Sequence, residues 1–310
     1  MNNADAIQIL HDYYDNTNRS KDDEFLYTEA LGYLISETKE PKYMAELAWY
    51  YCGLKRFDLE LKYLEMAAEY GYGPAFEELG YMWYYGQHGE KDYKKAFEYF
   101  TKGSQPDRYG NKGSLWSKYK LADMYRFGCA VEKDEARYSR MIEEAYDEVR
   151  DARYLNEPFP EIALRLAGIR HEQGYDDTAI RLLTYARRFL AERMSYDAFW
   201  GNIEVMGRII RFLYQLKPIT MENVWFYDLF YLTLTPGRFK MGCRGKRITI
   251  DVTEKDGELC IGYDGRCYRN FEDFCGKARF DGVRFTNIYD EMYDIRGEES
   301  TEKQMREEAW

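Results

Sequence analysis

Histidine is almost missing from this chain: His11, His88 and His171 are the only three in 310 residues. They stand far apart, and neither an HExxH pair nor a nucleophile elbow is present. Cysteine is sparse as well, at Cys52, Cys129, Cys243, Cys260, Cys267 and Cys275. No framework spacing links them, so free thiols in a reducing, cytoplasmic setting are expected. Cys243, Cys260, Cys267 and Cys275 could in principle surround a zinc ion, but 16, 6 and 7 residues separate them and no CxxC knuckle sets up two ligands. No metal and no cofactor are expected. The segment GCRGKR at 242–247 lacks the spacing and the Ser or Thr of a phosphate loop. No run of 18 apolar residues occurs, so no membrane span is expected. The opening MNNADAIQILHDYYD has neither the basic start nor the apolar run of a signal peptide. Basic residues are outnumbered, 44 against 55, for a net charge of −11. General nucleic-acid binding and coating of anionic membranes are therefore disfavoured. Acidic pairs such as Glu77–Glu78 and Asp176–Asp177 read as solvated helix faces, since an acid–base pair needs a cleft that the sequence does not reveal. Nothing here marks an enzyme.

Aromatic side chains, by contrast, make up 17% of the chain, with 31 tyrosines. Tyrosine combines a rigid apolar ring with a polar tip, which suits both helix packing and interfaces. Residues 4–15 and 22–38 read as helices on apolar spacing, and Pro41 suits the first turn of a third. A period then appears. Residues 79–86 read LGYMWYYG, 121–128 read LADMYRFG, and 47–53 read LAWYYCG. Asp92, Ala96, Tyr99 and Gly103 follow the first phrase. Asp134, Tyr138, Met141 and Ala145 follow the second at matching offsets. A looser copy sets Leu166 and Ala167 against Ala179, Leu182 and Ala186. A large residue beside a small one lets two helices approach closely. Gly86 and Gly128 should end the first helices in the left-handed conformation, and Asp92 and Asp134 should start the second ones. One hairpin cannot bury its apolar face alone, so neighbours must stack.

These phrases resemble the Sel-one-like repeats, relatives of the tetratricopeptide repeats. The match is best at 75–103 and covers about residues 40–190. Trp83 departs from the family's Tyr, and Val131, Lys133 and Asp134 keep its V-x-K-D phrase. The resemblance implies a mainly α protein built as an α/α superhelix of antiparallel helix hairpins. It also implies a scaffold or adaptor that holds a peptide or protein partner, with first helices lining the concave side. On a helical wheel Phe76, Leu79 and Trp83 share one face of their helix and Glu77, Tyr81 and Tyr84 the other. If the first face packs inside the repeat, the second lines a groove, together with Trp49, Trp116, Tyr119, Asp123 and Arg126. A rival occupant of that groove is the chain's own N-terminal helices or C-terminal module.

The repeat fades after 190. Residues 196–217 read as a further helix, closing a solenoid over 1–217. Residues 221–234 read as a buried apolar helix within a connecting stretch, 218–237. From 238 to 310 the composition becomes that of a small α+β module with a charged tail. KRITIDV at 246–252 and ELCIGY at 258–263 read as strands, with Arg266–Tyr268 a third; Asp256-Gly257, Asp264-Gly265 and Asp281-Gly282 read as turns. FEDFCGKARF reads as a short helix, and 283–295 as a strand leading into a helix capped by Thr286. Arg238, Lys240, Arg244, Lys246 and Arg247 form a basic run without an intervening acid, in an acidic protein. That run opens the alternative that the module contacts nucleic acid. The plainer reading is a solvated strand edge.

Overall fold

In the computed structural model, residues 1–87, 89–151, 159–194, 200–217, 229–230, 232–234, 236–255, 258–288 and 291–297 are described. The chain divides into two compact units, Met1–Met141 and Ile142–Trp310.

The first unit is helical, and local side-chain chemistry sets its helix ends. Helix α1 (Asn3–Asp15) and helix α2 (Lys21–Thr38) each begin with a reciprocal capping box, Asn2 with Asp5 and Ser20 with Asp23. Helix α3 (Pro41–Gly53) starts on its proline, where a missing N–H removes no helical bond. Helices α4 (Phe57–Glu69), α5 (Gly73–Tyr85), α6 (Tyr93–Gly103) and α7 (Leu115–Phe127) follow. Helix α8 (Glu135–Asp151) crosses the boundary between the units. Gly86 and Gly128 close α5 and α7 with φ of 70° and 67°, as expected. Asp92 accepts from the amides of Lys94 and Lys95, and Asp134 from that of Arg137.

Pairs α3/α4 and α5/α6 are the tightest in this unit, and α4 against α5 and α6 against α7 stack one pair on the next. The large-beside-small phrase explains the pairing. Leu79 is fully buried, and Gly80 lies directly on the ring of Phe100 in α6; a Cβ there would stand 2.5 Å from that ring. Ala122, at the matching position of α7, is fully buried too.

In the second unit α9 (Pro160–Glu172) pairs with α10 (Asp176–Met194), and α11 (Trp200–Leu216) packs beside α10. Leu166, Ala167, Ala179, Leu182 and Ala186 are buried as the looser repeat copy requires. A five-stranded antiparallel sheet follows, ordered β4-β3-β2-β1-β7. Its strands are β1 (Gly237–Cys243), β2 (Lys246–Lys255), β3 (Glu258–Tyr263), β4 (Arg266–Tyr268) and β7 (Met292–Gly297). Helix α12 (Phe271–Lys277) and a small ribbon of β5 (Arg279–Phe280) and β6 (Val283–Arg284) lie between β4 and β7. Phe274 anchors this insertion, with ring centres 5.0 Å from Phe285 and 5.3 Å from Tyr268. Helix α11 packs against β7 within the same unit.

Three features differ from the sequence expectation. The basic run begins with a strand, β1, turned at Arg244-Gly245, where both residues have positive φ. The same conformation occurs at Asp264-Gly265 and Asp281-Gly282, where turns were expected. Residues 292–297 form a strand in place of a helix, because β1 offers an open edge that Met292 and Tyr293 complete. Cys260 and Cys267 are joined as a disulfide across the β3–β4 hairpin in place of free thiols. The helix expected over 221–234 falls mostly outside the described residues, as do His88, Asp256-Gly257 and the tail from 298.

The contact of Gly80 with Phe100 yields a direct test. Gly80→Ala gains helix propensity of about 1 kcal/mol but forces apart two packed helices, at about 1–3 kcal/mol. The expected net result is a lower melting temperature, whereas Gly53→Ala, in α3 with open space around it, should raise or preserve it. Thermal melts of the two variants check this.

Candidate functional site

The predicted groove residues separate into a sealed set and an open set. Tyr84 and Tyr119 are buried, 2% and 1% exposed, and Asp123 is 3% exposed. Tyr84 packs edge-on to Tyr93 at 5.2 Å and near Phe100 at 6.2 Å, in the apolar cluster that joins α5, α6 and α7. Tyr81 is half-buried; its hydroxyl meets that of Tyr119 at 3.1 Å and its ring stands edge-on to Phe100 at 5.3 Å. These rings therefore join helices rather than wait for a partner. The physical reason is that a helix in a stacked array has lateral neighbours as well as an inner one, so its side toward the next hairpin is covered. Arg126 is part of the same packing, bonding the Tyr138 hydroxyl at 3.1 Å with its guanidinium over that ring. Lys120, fully buried, donates to the Tyr85 hydroxyl at 2.5 Å and lies within 6 Å of the Tyr81, Tyr84 and Tyr119 ring centres.

Trp49 is different. It stands near the end of α3 with 43% of its surface exposed. Trp116 is half-buried beside Tyr119 at the start of α7, with ring centres 5.6 Å apart. Close to Trp49 lie Glu60 on α4 and Glu77 and Glu78 on α5, the last two of which read as a solvated face in the sequence. Glu60 is 2% exposed, and one of its carboxylate oxygens has no hydrogen-bond partner. Glu77 and Glu78 are both half-buried, and Glu77 accepts a short hydrogen bond from the Ser114 hydroxyl at the N-cap of α7. Among the described residues no lysine or arginine forms an ion pair with any of the three.

Their protonation follows from that setting. Burial pushes the Glu78 carboxyl up to about 7, the charges of Glu77 and Glu60 add to the rise, and a hydrogen bond from Trp49 opposes it. Burial also raises Glu77, against the Ser114 hydroxyl, and raises Glu60, against a bond to Cys52. The Cys52 thiol, one turn after Trp49, is pushed up to about 12 by burial first and by Glu60 and Glu78 after it. Burial and mutual repulsion, with no ion pair to these acids among the described residues, hold all three carboxyls above the ordinary range. Glu60 carried a readable signal: it falls in the apolar period of Phe57, Leu61 and Leu64, where an acid faces the interior.

The five cations of the C-terminal module are mostly matched in space. Arg238 bonds Asp251, its cross-strand neighbour in the β1–β2 register. Arg244 holds Glu291 with two bonds of 2.6 and 2.5 Å, and Lys246 holds Asp281. Lys240 and Arg247 are exposed. A cavity of about 450 Å³ among α8, α9 and α10 is likewise internally matched, with Arg170 on Glu143 at 2.6 Å and Arg150 on Asp147 at 3.1 Å.

No family model matches the sequence, and no curated protein matches it. Among solved structures it is similar to a Sel1 repeat protein from Oxalobacter formigenes, at 16% identity and a TM-score of 0.46 over 67% of this chain and 78% of that one. It is also similar to a protective antigen displaying an SLR fold, present in uropathogenic Escherichia coli strains, at 20% identity and a TM-score of 0.40 over 58% of this chain and 36% of that one.

Glu78 makes stability depend on pH with a definite sign. Its folded value of about 7 lies above the ordinary 4.5, so between these values the folded chain binds more protons than the unfolded one. Stability is then greatest below the ordinary value and falls as the pH rises toward 7. Glu78→Gln removes the effect. The variant should match the parent near pH 4 and exceed it near pH 8 by roughly 1–3 kcal/mol. Denaturant melts at the two pH values check this, and an equal or less stable variant at pH 8 contradicts the assignment.

Proposed function

We propose that this chain is a non-enzymatic protein-interaction scaffold. Its first unit holds a peptide or partner protein against the face that carries Trp49, with Glu77 and Glu78 nearby. The supporting observation is Trp49 itself. Its indole is 43% exposed, as Phe25 and Tyr14 of the same unit also are in part, and it stands beside the Glu78 carboxyl. Tryptophan flanked by polar groups is also the composition typical of an interface anchor.

Contact between the C-terminal module and nucleic acid is the weaker reading. Three of the five cations that motivated it already hold carboxylates, which leaves little net positive field for a phosphate backbone.

The test separates anchor from core. Trp49→Ala should leave the fold and melting temperature nearly unchanged and lower the recovery of a bound partner at least tenfold, or roughly 1.4 kcal/mol or more, in affinity capture with the full chain. Tyr84→Ala serves as the contrast, expected to destabilise by about 3 kcal/mol or more because it empties a packed site. Undiminished capture by a folded Trp49→Ala chain removes this face from the proposal.

A further inference from the structure

Independently of the Trp49 reading, we propose that the cavity among α8, α9 and α10 is a binding site for a carboxylate carried on a small apolar body. The cavity holds about 450 Å³, within the roughly 300–1,000 Å³ of small-molecule sites. Its two walls repeat one pattern. Helix α8 contributes Glu143, Tyr146, Asp147 and Arg150, and α10 contributes Thr178, Arg181, Leu182 and Tyr185. Each set follows the spacing i, i+3, i+4, i+7, which is a single helical face. Leu166 and Arg170 of α9 complete the lining, and all of these residues belong to the second unit. The site is therefore built by three helices of one compact body.

The internal pairs do not use up its donors. Arg170, with 26% of its side chain exposed, holds both Glu143 at 2.6 Å and Gln173 at 2.9 Å through one nitrogen, Nη1. Arg181 bonds through Nη2 alone, to the Thr178 hydroxyl at 2.9 Å, and pairs with no carboxylate among the described residues. Among those residues nothing accepts from Nε or from the other terminal nitrogen of either guanidinium. Those two nitrogens are the edge that grips a carboxylate with parallel bonds. Charge narrows the class further. Three arginines against two acids give the lining a net charge of +1 (3 − 2), in a chain of net −11. A single carboxylate matches that excess, whereas a phosphate dianion brings twice the charge toward Glu143 and Asp147. Leu166 and Leu182, 4% and 7% exposed, and the rings of Tyr146 and Tyr185 supply the apolar part of the lining, so the rest of the ligand is apolar.

The probe is 3-phenylpropionate, added to the full chain at constant ionic strength. Its neutral amide, phenyl phosphate, and an acetylated and amidated tripeptide with glutamate between leucine and phenylalanine are titrated alongside. The readouts are the methyl signals of Leu166 and Leu182 and the Nε–H signals of Arg170 and Arg181 in NMR spectra. Phenylpropionate should move them saturably, and the amide and phenyl phosphate several-fold more weakly. Arg181→Gln, at an exposed side chain, should keep the melting temperature and weaken phenylpropionate about tenfold, as loss of a charge-assisted bond entails. Tyr185→Ala, also exposed, is the second variant and should weaken it several-fold through the lost ring contact. A tighter response to the tripeptide makes a polypeptide the source of the carboxylate, and a weaker one makes it a free acid; both retain the site. Unmoved signals, an equal response to the amide, tighter binding of phenyl phosphate, or undiminished binding by a folded Arg181→Gln chain overturns the proposal.

Discussion

Gly80 pressed against the ring of Phe100 is the contact on which the first unit turns. Two helices approach to that distance only where one of them has no side chain, and the approach brings Leu79 and Ala96 into full burial beside it. Ala122, the small residue at the matching place in α7, is fully buried as well. Once hairpins form at this spacing, they must stack, because each retains an apolar side that its own partner helix does not reach. Tyr81, Tyr84 and Tyr119 occupy that lateral side. The abundance of tyrosine is thus first a packing device: the ring fills the seam between hairpins, and the hydroxyl finds a partner there, as Tyr81 and Tyr119 find each other at 3.1 Å.

Much of this was readable because it rests on short-range chemistry. Gly86 and Gly128 end helices since only glycine adopts positive φ there without strain. Asp92 and Asp134 start helices since their carboxylates reach the free amides of the next turn. Asp264-Gly265 and Asp281-Gly282 turn strands for similar local reasons. What stayed hidden depends on partners distant in sequence. A two-faced helical wheel does not show where the neighbours lie, so Tyr84 looked open when Tyr93 and Phe100 of α6 and Lys120 of α7 cover it. The basic run at 238–247 looked unopposed because Asp251, Asp281 and Glu291 reach it only through strand register and chain return. Cys260 and Cys267 looked unrelated, yet the register pairs Gly262 with Cys267. Residues two apart share a strand face, so Cys260 comes to the same side as Cys267.

The carboxylate group was obscured for a different reason. On a surface helix an acidic pair is the commonest pattern there is, and Glu77–Glu78 carries no mark that distinguishes it. Only the neighbouring helix reveals it, because Glu60 of α4 stands in an apolar register and Ser114 of α7 caps its own helix while bonding Glu77. Burial by α3, α4 and α7, not residue identity, gives these side chains their chemistry.

That burial works against folding. An acid that holds its proton to about pH 7 is ionised at a loss above that pH, and an isosteric amide would avoid the loss. Helices α3 to α5 have ample apolar residues with which to fill the same space, as Leu64, Leu79 and Ala75 do nearby. Retaining three acids there, with no ion pair to them among the described residues, departs from the apolar packing that surrounds them. Local departures of this kind gather at functional sites, where a side chain is kept for its chemistry at a cost in stability.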